Sequence, residues 1–294
     1  MTTQAHTQGM LPAGTFKGQT ILITGGGTGL GRAMGEYFLS LGANLAICGR
    51  RRDVIDAAAA EMSKASGGQV LAVGCDVRSS EQVESMLAAV RERFGRIHAL
   101  VNNAAGNFVC PTERLSYNAF NSVVDIVLKG TYNCTLAVGK RWIEEKTPGS
   151  VLNISTTYAW TGSGYVVPSA VSKAGALVMV RSLASEWGKY GIRLNAIAPG
   201  SFPTEGATSR LRPRELDNGG ELTDKIPLGR YGHYQELANL AGYLLSDFSS
   251  YITGACVTID GGSWLRGAGM FNDLERVSSE QWDTVQAAVK SRKK

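Results

Sequence analysis

Short apolar runs alternate with longer stretches in which apolar residues recur every three or four positions. The runs at 20–24, 44–48, 70–74, 99–102, 151–155, 192–198 and 255–259 read as buried strands. Between them, 53–62, 81–94, about 117–145, 168–190 and 235–245 carry helical spacing. The stretch after the first strand places Leu30, Met34, Tyr37, Phe38 and Leu41 on one helical face. Seven strands interleaved with helices predict an α/β fold: a single doubly wound, Rossmann-type domain on a seven-stranded parallel sheet. Residues 1–16 lack periodicity and read as a flexible N-terminal arm; no linker or composition break interrupts 17–294, which read as one domain including the C-terminal tail. In such a sheet, ligands bind just past the carboxyl ends of the strands, so the residues there are the first candidates for chemistry.

The first strand runs into Gly25-Gly26-Gly27-Thr28-Gly29-Leu30-Gly31 and then into an amphipathic helix. Glycines in that context let the backbone approach a pyrophosphate, and the helix N-terminus favours an anion. Gly25, Gly27, Thr28, Gly29, Leu30 and Gly31 are therefore candidate cofactor residues. After the second strand, a site for NAD wants a carboxylate for the ribose hydroxyl. The chain offers Arg50, Arg51 and Arg52 instead, which oppose the helix dipole unless an anion meets them. Arg50 and Arg51 point to a 2′-phosphate and so to NADPH. Asp76 and Val77 follow the third strand, with Asp76 placed to accept from an adenine amino group. Asn103 and Ala104 follow the fourth, and Pro199, Gly200, Phe202 and Thr204 the sixth.

The stretch from Asn153 to Lys173 carries the candidate reaction chemistry. Ser169 and Lys173 lie four apart and share one helical face. Between them and the fifth strand stand Tyr158, Tyr165 and a run of hydroxyls, with Thr156 open to either a structural or a chemical role.

Composition narrows the partners. A net charge of +5 with 19% charged residues is modest, and the arginines are clustered rather than spread as nucleic-acid footprints are. Clusters at Arg50–Arg52 and at Arg210, Arg212 and Arg214 suit phosphate-bearing small molecules. The 5 cysteines show no CxxC or metal spacing, so reduced thiols and no metal are expected. No apolar run approaches the roughly 18 residues of a membrane span. Neither a secretory signal, an Arg-rich transit peptide nor a peroxisomal Ser-Lys-Leu terminus is seen, so a cytoplasmic location is expected, with no nucleic-acid or membrane partner.

Thr24-Gly25-x-x-x-Gly29-x-Gly31, Asn102-Asn103-Ala104-Ala105-Gly106, Lys173 and Pro199-Gly200 together resemble the short-chain dehydrogenase/reductase family over about 18–262. Two positions depart from it. Ser169 stands where the family carries its catalytic tyrosine, and Val127 where it usually carries a proton-relay asparagine. The branch of NADPH-dependent 2,4-dienoyl-CoA reductases shares this pattern. It is similar at Gly106-Asn107-Phe108, Thr112-Glu113-Arg114-Leu115-Ser116, Thr156-Thr157-Tyr158, Gly162-Ser163-Gly164, Val166-Val167-Pro168-Ser169-Ala170 and Gly206 to Leu211, and in the tail at Phe271 to Leu274 and Glu280 to Thr284. That resemblance implies Tyr158 as the catalytic acid, helped by Asn107, Ser169 and Lys173. It also implies acyl-CoA contacts at Arg78, Phe108, Ser116 and Arg210, a homotetramer, and hydride addition to C5 of a 2,4-dienoyl thioester to give a 3-enoyl-CoA. Tyr165 matches an aromatic position without an acid role. Two other readings stay open: an NADPH-dependent carbonyl or 3-oxoacyl-thioester reductase using Tyr158 or Tyr165 as proton donor, and a non-catalytic NADP-binding protein.

Overall fold

The computed structural model describes residues 4–204, 211 and 222–291. Seven strands form one all-parallel sheet: β1 Thr20–Thr24, β2 Asn44–Gly49, β3 Val70–Gly74, β4 Ala99–Asn102, β5 Gly149–Ile154, β6 Ile192–Pro199 and β7 Cys256–Ile259. They lie in the order β3-β2-β1-β4-β5-β6-β7, all parallel. The order reverses between β1 and β4, which opens a crevice at their carboxyl ends.

The helices are α1 Gly29–Ser40, α2 Arg52–Ser66, α3 Ser80–Phe94, α4 Tyr117–Val124, α5 Gly130–Glu144, α6 Tyr158–Thr161, α7 Val167–Trp187, α8 Tyr234–Leu245, α9 Ser263–Ala268 and α10 Ser279–Ser291. They cover both faces of the sheet. On one face α1 and α8 bury Met34, Phe38, Leu237 and Leu244 against Ile21, Ile23 and Ile197. On the other, α3, α5 and α7 bury Met86, Leu87, Trp142 and Val180 against Leu22, Leu100 and Val151. Strands covered on both sides need continuous apolar runs, which is the pattern the chain shows. Among the described residues no helix is long and apolar enough to cross a membrane.

Four features differ from the expectations. The segment expected to be a loose arm is held along its later part: Phe16 is fully buried, the amides of Met10 and Leu11 both donate to Tyr37 Oη at 2.9 Å, and Asn239 Nδ2 donates to Gln8 O. Scattered anchors without periodicity leave no helix or strand signal to read. The helix expected over 117–145 is interrupted by a π-turn at Asp125–Lys129, between α4 and α5. Such turns occur often beside functional sites, and this one contains Val127, 1% exposed. The one-turn α6 has no periodicity to reveal it. The helices α9 and α10 follow β7, beyond the last element expected.

At the amino ends of β1 and β4, His98 Nδ1 accepts from the Thr20 amide at 3.0 Å. Burial, and then the neighbouring Arg96 charge, pushes this imidazole below its ordinary range. The unfolded chain therefore takes up the proton first. The neutral ring's contribution to stability is complete above the ordinary histidine value of about 6.5 and is lost as pH falls through it and through the lower folded value. The thermal midpoint should drop between pH 7 and pH 5, and His98→Asn, which keeps an acceptor but does not titrate, should lose much of that dependence in calorimetry.

Candidate active site

The cofactor crevice is built at the ends of β1 and β4. Thr24 Oγ1 accepts from the amides of Asn103 and Ala104, each at 3.0 Å, and Asn103 Nδ2 donates to the carbonyls of Thr24 and Gly25. Gly25 has φ +65°, and a Cβ on it would lie 3.1–3.3 Å from Ala104 and Asn103. A Cβ on Gly31 would lie 2.5 Å from Asn103 Nδ2 and from the Gly25 carbonyl oxygen. Any side chain there would fill the cradle. The N-cap of α1, Thr28, makes no capping bond, and no acidic residue stands in the first turn. Orphan N–H groups and a positive dipole end thus face the crevice, which fits a pyrophosphate.

Beyond β2, Arg50 and Arg51 are exposed and make no ion pair among the described residues, whereas Arg52 pairs with Asp56 at 2.8 Å. Beyond β3, the structure joins two residues expected to act separately. Arg78 donates from Nε to both carboxylate oxygens of Asp76, each at 2.9 Å, and from Nη2 to Oδ2 at 2.5 Å. That bond, above all other causes, holds the Asp76 carboxyl below the usual range. Asp76 and Arg78 thus stand as one pair on the turn after β3. Asn133 of α5 supports the same turn by donating to the Val77 and Arg78 carbonyls, at 2.9 and 3.2 Å. A lone asparagine within a helix carries no motif, so the sequence does not mark Asn133.

Beyond β6, the Gly200 amide donates to the Ile259 carbonyl, and a Cβ there would meet Asp260 at 2.5 Å. Pro199 closes β6. Phe202, expected at the cofactor, turns its ring into the core, where Gly232 leaves room for it. Thr204 returns to the cradle, its methyl 3.2 Å from where a Cβ on Gly29 would stand. Arg210 lies outside the described residues, as do Arg212 and Arg214.

The structure brings the four candidate catalytic residues to the end of β5. Tyr158 opens α6, and its Oη stands 3.0 Å from Ser169 Oγ and 3.3 Å from Asn107 Nδ2. Asn107 Oδ1 accepts from the Phe108 amide at 2.9 Å, which fixes the carboxamide with its N–H2 toward the phenol. Ser169 and Lys173 sit one turn apart on α7, which starts one residue earlier than expected with Pro168 in its first turn, where a proline is tolerated. Lys173 Nζ donates to the Ile154 carbonyl, and burial pushes its ammonium down to about 8. Ser116 caps α4, its hydroxyl accepting from the Ala119 amide at 3.1 Å, and Phe108 is half-buried nearby in sequence to Asn107. Tyr165 has a left-handed backbone, φ 64°, and is 65% exposed, and its carbonyl accepts from the Cys110 amide. Its phenol makes no hydrogen bond to the Tyr158 group.

A family model described as enoyl-(acyl carrier protein) reductase matches residues 25–263. The chain belongs to the short-chain dehydrogenase/reductase family. Relatives of this short-chain reductase include an uncharacterized oxidoreductase of Caenorhabditis elegans, 46% identical over 96% of this chain and 91% of its own length. A probable (3E)-enoyl-CoA-producing 2,4-dienoyl-CoA reductase of the same organism is 40% identical, covering 96% of this chain and 93% of its own. A probable (2E)-enoyl-CoA-producing 2,4-dienoyl-CoA reductase of Bacillus subtilis is 44% identical, over 84% and 97%. This reductase is thus an oxidoreductase of a family that binds nicotinamide cofactors, and the cradle at Gly25–Gly31 fits one.

The low value of Lys173 has a kinetic consequence. The ratio kcat/KM for the nicotinamide cofactor reports groups of the free enzyme. It should fall as pH rises through about 8, where Lys173 loses its charge. Lys173→Arg, charged throughout this range, should flatten that limb while lowering the absolute rate.

Proposed function

We propose that this short-chain reductase is an NADPH-dependent 2,4-dienoyl-CoA reductase acting in unsaturated fatty-acid β-oxidation, and that it forms a 3-enoyl-CoA. The observation that carries the reading is the phenol of Tyr158, within reach of Asn107 and Ser169, while the position one turn before Lys173 holds a serine. Bound NADPH supplies the hydride, which goes to C5 of the dienoyl thioester.

The chemistry favours this displacement of the acid. A carbonyl reductase protonates an oxygen attached to the very carbon that takes the hydride. In a dienoyl thioester the negative charge instead gathers five bonds away, on the thioester oxygen. Tyr158 O–H and Asn107 N–H form two donors for that oxygen, as an oxyanion hole does. Lys173, charged below about pH 8, favours the ionised form of groups near it and is suited to the nicotinamide ribose. A proton delivered to Cα, by way of Tyr158 or water, leaves the C3–C4 double bond; one delivered to C4 would leave C2–C3. Arg50 and Arg51 support NADPH over NADH, since arginine pairs well with a phosphate. Apolar side chains left exposed on α4, α5 and α7, at Tyr117, Tyr132, Val171 and Val178, support a homotetramer.

The decisive assay is loss of NADPH absorbance with a short 2,4-dienoyl-CoA, followed by NMR of the product to place its double bond. Equal rates with NADH would remove the support for the 2′-phosphate site. Faster turnover of a 3-oxoacyl-CoA would select the carbonyl-reductase reading, and cofactor binding without consumption the non-catalytic one. Tyr158→Phe should cut kcat by about two orders of magnitude or more, with affinity for NADPH near normal. Ser169→Ala should cost less, and Tyr165→Phe little.

A further inference from the structure

The helix that carries Tyr158 is a single turn, Tyr158–Thr161, without a side-chain cap and closed by Gly162 at φ +70°. A helix this short is far below the length that is stable alone, so the direction of the phenol depends on what packs against its other sides. At about 100° per residue, Ala159 and Trp160 point roughly 100° and 200° away from Tyr158. Ala159 is buried with Leu177 of α7 and Ala196 of β6. Trp160 meets the ring of Trp264 edge-to-face, with centroids 5.5 Å apart and planes at 87°.

Trp264 comes from α9, more than a hundred residues later in the chain, and α9 is itself fixed. Asp260, at the end of β7, accepts from the Gly262 amide at 2.9 Å and from the Trp264 amide at 2.8 Å. The indole N–H of Trp264 is buried without a hydrogen-bond partner among the described residues. A buried unsatisfied donor is unfavourable, so this indole is held by its ring contacts and not by its polar atom.

We infer that Trp264 is a positioning residue for the phenol: through Trp160 it braces the outer side of the one-turn helix and so holds Tyr158 against Asn107 and Ser169. The inference rests on Tyr158 being the acid, and it makes the tail beyond β7 part of the catalytic apparatus. An acid displaced by about an ångström loses on the order of tenfold to a hundredfold in rate.

The test compares Trp264→Ala with Trp264→Phe in the full-length protein, using NADPH and a 2,4-dienoyl-CoA. Trp264→Ala should lower kcat by about 10- to 100-fold with KM for NADPH unchanged, and Trp264→Phe, which keeps an aromatic edge, should restore most of it. In a Tyr158→Phe background Trp264→Ala should cost nothing further, because it acts through the phenol. Hydrogen exchange of the Gly162 amide, which closes the turn onto the Tyr158 carbonyl at 3.1 Å, should quicken in Trp264→Ala and not in Trp264→Phe. If Trp264→Ala does not fold, Trp160→Ala removes the other half of the pair and carries the same readouts. Unchanged kcat and exchange, or a loss of equal size in the Tyr158→Phe background, overturns the inference. A wild-type enzyme inert toward the dienoyl thioester counts against the proposed substrate instead, and the exchange comparison still decides the bracing.

Discussion

Four hydrogen bonds join the end of β1 to the start of the segment after β4, from Asn103 and Ala104 onto Thr24 and Gly25. They close the crevice opened by the reversal in strand order, and much of the site hangs from them. On one side they hold the glycine loop in the shape that presents the N-terminus of α1. On the other they set where the chain leaves β4 on its way to Asn107, four residues on from Asn103. The cofactor cradle and one of the two candidate oxyanion donors therefore share an anchor. Gly31 has no room for a Cβ because the Asn103 amide occupies that place, so the glycine serves the anchor as much as any ligand.

Tyr158 depends on a second, independent set of supports. Its helix is placed by β5 before it, by α7 beside it and by α9 behind it. Moving the phenol off α7 removes the geometric coupling that one shared helix would give between an acid and Lys173. What replaces it is a chain of side-chain contacts, Asn107 to Tyr158 to Ser169, with Ser169 one turn from Lys173. Asn107 is pinned by its own neighbour's amide and Ser169 by a long helix, so the phenol sits between two groups that have little freedom to follow it.

Sheet and helices were legible because burial on both faces demands long apolar runs and a helix on a sheet demands its stripe; strand boundaries held to within two residues. The cofactor crevice was legible for a related reason, since close backbone approach leaves only glycine possible. Contacts between distant single residues left no such trace. Asn133 beneath the Val77 turn, the Asp76–Arg78 pair, Phe202 folded inward and Trp264 on Trp160 all depend on tertiary placement, which no local period encodes. The docked segment before β1 belongs to the same class, because its anchors Tyr37 and Asn239 lie on two different helices. The π-turn shows the same limit within one helix: the apolar period continues through Asp125–Lys129, so nothing in the spacing marks the extra residue.

Two half-buried cations separate structural from chemical burial. Burial lowers both Arg193 and Lys173 from their ordinary values. Arg193 donates to the carbonyls of Leu244, Leu245, Ser246 and Ile252 and to the Ser249 hydroxyl, so its donors knit β6 to the end of α8. Lys173 has three donors and one acceptor among the described residues, the Ile154 carbonyl. With a folded value of about 8 against an ordinary 10.5, its charge weighs fully against folding below pH 8, and that cost fades as pH rises from 8 to 10.5. A fold gains no stability from such a group. A charged amine left short of acceptors at the edge of a crevice that fits a nicotinamide cofactor is suited to meet a ligand, and a spare donor sets such burial apart from the structural kind.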